Sequence, residues 1–201
     1  MLHIGITGGI GSGKSTVTQL WVGCGAHAID ADQLSRELTQ SGGAAIPLIR
    51  AAFGDMAIGS DGAMDRARMR EWVFSSPELK AKLEGILHPM IGEESRRLTE
   101  LARQSGAQVL VHDIPLLVET GKYKDKLDRI LVVDCPLETQ VSRVMARSAM
   151  ERDAVLRIIQ AQATREARLA VADWVILNEH KSLLELKKEV QALYALALEL
   201  A

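Results

Sequence analysis

Aromatic residues and cysteines are scarce in this sequence. Phe, Trp and Tyr together make up 3% of the 201 residues, which leaves the core to aliphatic side chains and offers few rings on which single-stranded nucleic acid could stack its bases. The two cysteines, Cys24 and Cys135, lie far apart and show no CxxC spacing. We therefore expect two reduced, buried thiols rather than a disulfide or a metal site.

Strong charge of either sign and long apolar runs are missing as well. The formal net charge is −2, whereas proteins that bind the phosphates of DNA or RNA are usually strongly basic. The first apolar run, Leu2–Thr7, is too short for the apolar region of a signal peptide, and no run reaches the length that spans a bilayer. We expect a cytoplasmic protein that binds neither nucleic acid nor membrane, and that is a monomer or a weak homo-oligomer.

Five short apolar runs predict the strands of a sheet. They are Leu2–Thr7, Ala26–Asp30, Val109–Ile114, Ile130–Asp134 and Asp173–Leu177. Continuous rather than alternating apolar runs are typical of parallel strands that are covered on both faces. Because helical stretches separate the runs, the sequence predicts a three-layer α/β/α fold with a central parallel five-stranded sheet.

The long interval between the second and third runs predicts a helical insertion. Residues 33–104 contain no convincing strand but several helical patterns, and such a segment is suited to covering a second substrate. Breaks between these helices are expected at Pro47, near Gly59–Gly62, at Pro77 and at His88-Pro89.

Two further helical regions follow the fourth and fifth runs. A pair of helices, roughly Leu137–Arg147 and Arg152–Arg168, predicts an arginine-rich lid over residues 137–169, and Lys181–Leu200 reads as a closing amphipathic helix. The predicted core then comprises residues 1–32, 105–136 and 170–201.

A phosphate-binding loop is the strongest single motif. Gly8–Thr16 reads GGIGSGKST, which matches GxxxxGK[ST] between a predicted strand and a predicted helix. Glycines let successive N–H groups turn toward a phosphate at the positive end of the helix. Lys14 is expected to reach the β- and γ-phosphates and Ser15 to offer its hydroxyl to Mg²⁺. The sequence therefore predicts an ATP-Mg site, against the alternative of a chance glycine-rich turn.

Features elsewhere favour a small kinase among P-loop proteins. The NKxD segment of guanine-nucleotide switches is missing after the last predicted strand. Arg143 and Arg147 lie four residues apart and so share one helix face, from which guanidinium groups could bind phosphate. The alternative is a solvated helix surface. The full set of lid arginines is Arg143, Arg147, Arg152, Arg157, Arg165 and Arg168.

Aspartates at the predicted strand ends are candidates for activating an acceptor hydroxyl, because ligands of such sheets bind beyond the carboxyl ends of the strands. Asp30 and Asp32 would point the same way in extended chain, although Asp32 could instead cap a helix at Gln33–Leu38. Asp113 ends the third run as a Walker-B acid would, or it caps the following turn. Asp134 ends the fourth run.

These motifs, taken in order, resemble those of the dephospho-coenzyme A kinases, which use ATP to phosphorylate the 3′-hydroxyl of the ribose of dephospho-CoA. The resemblance extends from Ile4 to Asn178. Many relatives have Asn-x-Gly where this chain has Asn178-Glu179-His180. The motifs that carry the resemblance are Thr7–Thr16, Ile29–Asp32, Phe53-Gly54, Asp61-Gly62, His88-Pro89, Asp113–Glu119, Gln140/Arg143/Arg147, Gln162 and Ala172–Asn178.

For the ATP side, the resemblance implies that Arg143 or Arg147 clamps phosphate from the lid and that Asn178 lies by the adenine. The residues implied to hold the phosphates are Gly11, Ser12, Gly13, Lys14, Ser15 and Thr16.

For the acceptor side, the resemblance implies that Asp32 accepts or orients the ribose hydroxyl proton, with Thr7 beside the transfer site. His88 would belong to the substrate-binding helices. The segment after the third strand would lie near the acceptor and supply Asp113, Leu116 and Glu119.

Two other functions remain open from the sequence. One is a P-loop kinase for another small hydroxyl compound, such as a nucleoside monophosphate or a shikimate-like acid. The other is a nucleotide-binding regulator without transfer chemistry, because a P-loop alone identifies a nucleotide and not a reaction.

Overall fold

The computed structural model describes residues 1–121 and 126–201. Its strands are β1 (Leu2–Thr7), β2 (His27–Asp30), β3 (Val109–Asp113), β4 (Arg129–Asp134) and β5 (Trp174–Leu177). The helices of the described residues are α1 (Lys14–Gly23), α2 (Ala31–Thr39), α3 (Ile46–Phe53), α4 (Arg66–Ser75), α5 (Pro77–Gln104), α6 (Leu117–Thr120), α7 (Leu137–Ser148), α8 (Arg152–Gln160), α9 (Arg165–Ala170) and α10 (Leu183–Leu200).

The strands form one sheet in the order β2-β3-β1-β4-β5. The pairings of β1 with β3, of β1 with β4 and of β4 with β5 are parallel. Placing β1 at the centre brings Ile6 opposite Asp113 and Thr7 opposite Val132. The carboxyl ends of the three central strands therefore meet just where the phosphate loop leaves β1. The predicted parallel five-stranded sheet is confirmed.

Helices cover both faces of this sheet. On one face, α1 and α10 pack on the strands around Trp21, which is fully buried and whose ring stacks on Trp174 and meets Tyr194 edge-on. On the other face, Ile130 and Val132 of β4 pack with Leu117 and Leu169. Burial on both faces explains why the central strands β1, β3 and β4 read as continuous apolar runs.

The chain divides into two compact units, Met1–Ile29 with Ala102–Ala201, and Asp30–Leu101. The first unit contains the sheet up to Ile29 of β2. The second is helical, apart from a 3₁₀ turn at Asp55–Ala57 and an isolated bridge. It has its own core around Ile49 and Met69, beside which Phe53 stacks on Trp72.

Several predicted boundaries differ from the structure by one residue or more. β2 begins at His27, β3 ends at Asp113, and β5 begins at Trp174. Only Cys135 of the two free cysteines is buried, because Cys24 lies half-exposed just beyond α1. No helix of the described ranges is long and apolar enough to cross a membrane.

The predicted helix break at His88-Pro89 is wrong. The helix α5 runs without interruption from Pro77 to Gln104, with Pro89 inside it. Proline there removes one backbone hydrogen bond, but Leu87, Met90 and the neighbouring apolar side chains pack into the core of the second unit. That packing offsets the lost bond, so the local preference of the residue before proline does not decide the outcome.

The lid region contains three helices rather than the predicted two, because the chain turns between α8 and α9 and Thr164 caps α9 through the Ala167 N–H. The closing helix begins at Leu183, where Ser182 and Glu185 form a capping box. Two loops use non-glycine residues with positive φ, Ala149 at +50° after α7 and His180 at +52° after β5. His180 thus adopts a left-handed conformation, which is uncommon for a residue other than glycine.

Candidate active site

The phosphate loop leaves β1 and enters α1, and two of its N–H groups are already bound, that of Ile10 to Gln162 Oε1 and that of Ser12 to Gly9 O. Gly13 precedes the helix with φ of +92°, a conformation that favours glycine, and no side chain caps α1. The first turn of α1 contains no acidic residue. Within the described residues, no protein group accepts a hydrogen bond from the Gly13 N–H. The loop and the first turn of α1 therefore present unpaired donors at the positive end of a helix, which is a site for an anion.

Side chains from distant parts of the first unit form hydrogen bonds with the backbone of this loop. Asn178 Nδ2 donates to Ser12 O at 2.7 Å, and Arg143 Nη1 lies 3.3 Å from Ser12 O and 3.4 Å from Gly11 O. Gln162 Oε1 accepts from the Ile10 N–H at 2.9 Å. The loop is thus fixed from β5, α7 and the α8–α9 turn.

Lys14 is ion-paired with Asp113, the last residue of β3. Thr18, one turn after Lys14 on α1, lies with Oγ1 3.0 Å from Asp113 Oδ2 and 3.2 Å from Lys14 O. Both Asp113 and Thr18 are buried. A buried carboxylate with a cation on one oxygen and a hydroxyl near the other is satisfied, and it holds the ammonium group of Lys14 beside the loop.

The other predicted residues after β3 lie around the same strand ends. Thr7 is fully buried at the end of β1 and donates to Pro115 O at 3.3 Å. Leu116 is exposed, and Glu119 Oε1 accepts from the Ala163 N–H at 2.7 Å. Glu119 thus ties α6 to the α8–α9 turn, while Leu116 leaves an apolar side chain in solvent.

The lid arginines have different partners, so they do not act as one set. Arg143 contacts the loop carbonyls, whereas Arg147 is exposed and contacts only Ser148 Oγ, at 3.4 Å, among the described residues. Arg152 forms two hydrogen bonds with Glu138 on the surface, at 2.6 and 2.8 Å. For this one arginine, the structure agrees with the alternative of a solvated helix surface. Arg168 is buried.

Arg165 is bound to Asp134, the carboxylate that ends β4. Its guanidinium contacts both Asp134 oxygens at 2.7–3.0 Å. The hydrogen bonds to Asp134, and then the negative charge of that carboxylate, raise the pKa of Arg165. Asp134 is buried, so this pair supports the α9 end of the lid against β4.

Asp30, Asp32 and His88 belong to the second unit. Asp30, and not Asp32, is the N-cap of α2: its Oδ1 accepts from the Asp32 and Gln33 N–H groups at 2.8 and 3.0 Å. The helix α2 begins at Ala31, so Asp30 and Asp32 are not two apart in extended chain as expected. Asp32 and His88 are both exposed, and their implied roles stay predictions.

Sequence reasoning missed Thr18 as a residue that holds the site, and it named Gln140 within a motif without giving it a role. Thr18 sits one helical turn beyond Lys14, a spacing that could have suggested a contact with the same carboxylate. Gln140 is buried with Oε1 unpaired, and it lies close to Gly9 and Gly11. Its contact with the loop depends on the approach of α7, which no local pattern predicts.

The residues present fit a Mg²⁺ ion that is held mainly by phosphate and water. No group of three His, Cys, Asp or Glu side chains that could hold a metal is found in the part of the chain that the structure describes. Mg²⁺ usually needs only one or two protein ligands beside substrate phosphates. The exposed Ser15, in the first turn of α1, leaves its hydroxyl available for that purpose.

Comparison with known proteins shows similarity to the dephospho-CoA kinases over nearly the whole chain. The family model for dephospho-CoA kinase matches residues 2–183. A dephospho-CoA kinase of Dechloromonas aromatica (strain RCB) is 48% identical over 198 residues, which cover 98% of this chain and 94% of that protein.

Solved structures share the fold. A crystal structure of a Thermus thermophilus protein is 36% identical and superposes with a TM-score of 0.79, covering 100% of this chain and 98% of that one. A dephospho-CoA kinase of Campylobacter jejuni, 24% identical, has a TM-score of 0.68 with 96% and 95% covered, which shows the α/β P-loop NTPase fold. The chain belongs to the dephospho-CoA kinase family.

Proposed function

We propose that this chain transfers the γ-phosphoryl group of ATP to the 3′-hydroxyl of the ribose of dephospho-CoA, giving coenzyme A and ADP. The observation that carries the proposal is the phosphate loop, where free N–H groups and Lys14 converge at the start of α1 beside a buried Asp113. Family membership supports the choice of acceptor.

The loop binds the ATP phosphates and Lys14 neutralises their charge. The N–H groups from Gly11 to Thr16 surround the phosphates, and the Lys14 ammonium exchanges its contact with Asp113 for the β- and γ-oxygens. The pairing with Asp113 keeps Lys14 in place at the loop before nucleotide arrives. Binding therefore requires a local movement of one side chain rather than a refolded loop.

The acceptor hydroxyl is oriented by Asp32, which accepts its proton as the 3′-oxygen bonds to the γ-phosphorus and ADP leaves. Because the transition state of phosphoryl transfer is loose, positioning and charge neutralisation do most of the work, and Asp32 serves as an orienting group as much as a base. Thr7 lies beside the transfer site, and His88 contributes to binding dephospho-CoA.

Mg²⁺ supplies neutralisation of the charge on the β- and γ-phosphates when it is bound. Ser15 would hold it together with the phosphates. Arg143 or Arg147 approaches the phosphates from the lid. We also propose that the protein acts in the cytoplasm as a monomer or a weak homo-oligomer.

A coupled assay of ADP release tests the proposal. Dephospho-CoA is compared with a panel of hydroxyl acceptors that includes nucleoside monophosphates and shikimate, each with ATP and Mg²⁺. We expect ADP release with dephospho-CoA at a kcat/KM far above that for any other acceptor. Preference for another acceptor would instead indicate a kinase of different specificity, and ADP release with none of them would indicate a nucleotide-binding regulator.

A further inference from the structure

Asn178 is tied to the sheet by its backbone and to the phosphate loop by its side chain. Its N–H donates to Asp134 O at 2.8 Å, which extends the β4–β5 pairing by one residue. Its Nδ2 donates to Ser12 O at 2.7 Å, and the residue is buried, with 7% of its surface exposed. The amide therefore has little freedom, because both ends of the residue are bound.

The loop is shaped to receive this amide. A Cβ at position 13 would overlap Asn178 Nδ2, so Gly13 is required by the close approach of Asn178 as well as by its positive φ. Arg143 Nη1 approaches the same acceptor, Ser12 O, at 3.3 Å. Ser12 O thus takes a short hydrogen bond from Asn178 and a longer one from Arg143.

A fixed carbonyl also fixes the N–H of the same peptide group. The peptide that links Ser12 to Gly13 is planar, and in a trans peptide the C=O and the N–H point in opposite directions. Holding Ser12 O toward Asn178 therefore directs the Gly13 N–H to the other side of the loop. None of the described residues accepts from that N–H, and it lies immediately before the first turn of α1.

We infer that Asn178 is a positioning residue, which sets the Ser12–Gly13 peptide plane so that the Gly13 N–H faces the bound phosphates. This inference deepens the proposed function and rests on its claim that the loop binds ATP phosphates, though not on the identity of the acceptor. It differs from the adenine contact that family resemblance implies for Asn178. The two roles predict different losses of affinity for ATP and for a ligand without adenine when the Asn178 amide is removed.

The test compares ATP with inorganic tripolyphosphate, which has the phosphates but no base. Dissociation constants of both are measured with Mg²⁺ by calorimetry for the wild type, Asn178→Ala and Asn178→Asp. Asp has the shape of Asn but cannot donate to Ser12 O, and it serves if the alanine variant does not fold. Glu179→Gln is the matched control, because Glu179 is the next residue and its carboxylate lies by Thr139 and His180 rather than by the loop among the residues the structure describes.

We expect Asn178→Ala to weaken ATP and tripolyphosphate by the same factor, about three- to tenfold, which is what loss of one hydrogen bond gives. We expect Asn178→Asp to weaken both by a larger factor that is again equal for the two ligands, because its carboxylate also repels the phosphates. Weaker ATP with unchanged tripolyphosphate would overturn the inference in favour of an adenine contact. Unchanged affinity for both, with only a lower thermal midpoint, would overturn it in favour of a purely structural role. If wild type and Glu179→Gln bind tripolyphosphate but dephospho-CoA gives no ADP, the proposed acceptor fails and this inference does not.

Discussion

Lys14 has two partners in this account, Asp113 before nucleotide binds and the phosphates afterwards. The side chains of Lys14 and Asp113 are 15% and 5% exposed. Replacing Lys14 by Met therefore leaves the buried Asp113 carboxylate without its positively charged partner. The two roles of Lys14 can therefore be separated, because one is a matter of stability and the other of catalysis.

We expect Lys14→Met to lower the free energy of unfolding by about 3 kcal/mol and to lower kcat about a hundredfold or more. The double variant Lys14→Met/Asp113→Asn should recover most of the stability, because no unpaired charge remains, and none of the turnover. Urea unfolding without nucleotide and steady-state kinetics measure the two effects. Turnover and ATP affinity that survive Lys14→Met would show that the loop hypothesis is wrong.

Asp32 is exposed and does not cap its helix, so its loss should affect chemistry and not folding. We expect Asp32→Asn to change the free energy of unfolding by less than about 0.5 kcal/mol and to lower kcat about a hundredfold or more. Asp30→Asn is the matched control, because asparagine also caps helices well and the α2 cap at Asp30 would be kept. Near-normal kcat in Asp32→Asn would remove Asp32 from the reaction.

Ser15 should govern the Mg²⁺ requirement of the reaction. We expect Ser15→Ala to raise the Mg²⁺ concentration needed for half-maximal turnover by about tenfold, because the one hydroxyl placed to hold the ion is lost. Titration of Mg²⁺ at saturating ATP measures this, with Ser142→Ala, a change of an exposed serine on α7, as the control. Equal Mg²⁺ dependence in all three proteins would contradict the assignment of Ser15.

Among residues, local motifs predict the phosphate loop itself better than the distant side chains that hold its backbone. The spacing within Gly8–Thr16 is enough to predict the loop, because glycine dihedrals, the lysine and the helix start are all local. Asn178 lies 166 residues from Ser12, so the contact exists only once β1 and β5 are in one sheet. Asp113 could be predicted as a strand-end acid, but its pairing with Lys14 and Thr18 could not.

Among the secondary-structure elements, β1 and β3 carry an unusual pair of histidines. His3 Nδ1 lies 3.1 Å from His112 Nε2, and the two rings stack with centroids 5.3 Å apart. Burial, and then the neighbouring His3, lower the pKa of His112 to about 4. Burial is also the main cause that lowers the pKa of His3, against the opposing charge of Asp128.

This pair should make the fold sensitive to acid. The unfolded chain has an ordinary histidine pKa near 6.5, so between pH 6.5 and 4 it binds protons that the folded protein does not. Stability contributed by neutral His112 is therefore fully present above about pH 6.5 and is lost as the pH falls toward 4. The shift for His112 corresponds to about 3 kcal/mol.

Urea unfolding between pH 4.5 and 7.5 measures that loss, and we expect His112→Gln to have a clearly shallower pH dependence than the wild type. His27→Gln is a matched control, because His27 is exposed at the start of the edge strand β2. Parallel pH curves for the wild type and His112→Gln would show that the histidine pair does not carry the effect.

Strands were easier to predict than helix ends. The central strands β1, β3 and β4 give continuous apolar runs because they are buried on both faces. The edge strands β2 and β5 are partly exposed, yet their runs were also found, and the predicted strand ends differ by about one residue. Pro89 within α5 shows the converse, since a local rule for proline is outweighed by packing of the apolar face of the helix. The turn that separates α8 from α9 was missed because the cap at Thr164 lies in a polar stretch without glycine or proline.

For the whole molecule, the proposed function assigns the phosphates of ATP to the first unit, which contains the phosphate loop, and assigns the acceptor to Asp32 and His88 of the second. The order of motifs along the chain was enough to predict the family, which the family model over residues 2–183 confirms. No local sequence motif predicts the acceptor by physical reasoning alone. The choice of acceptor therefore rests on the family and needs a direct chemical test.

Product analysis with a matched acceptor gives that test. The protein is incubated with ATP, Mg²⁺ and either dephospho-CoA or its 3′-deoxyribose analogue, and the products are identified by mass spectrometry and phosphorus NMR. The proposed function predicts one phosphoryl group added at the 3′-oxygen of dephospho-CoA, equal amounts of ADP, and no product from the 3′-deoxy analogue. Phosphorylation of the analogue, or of another position on dephospho-CoA, would contradict it.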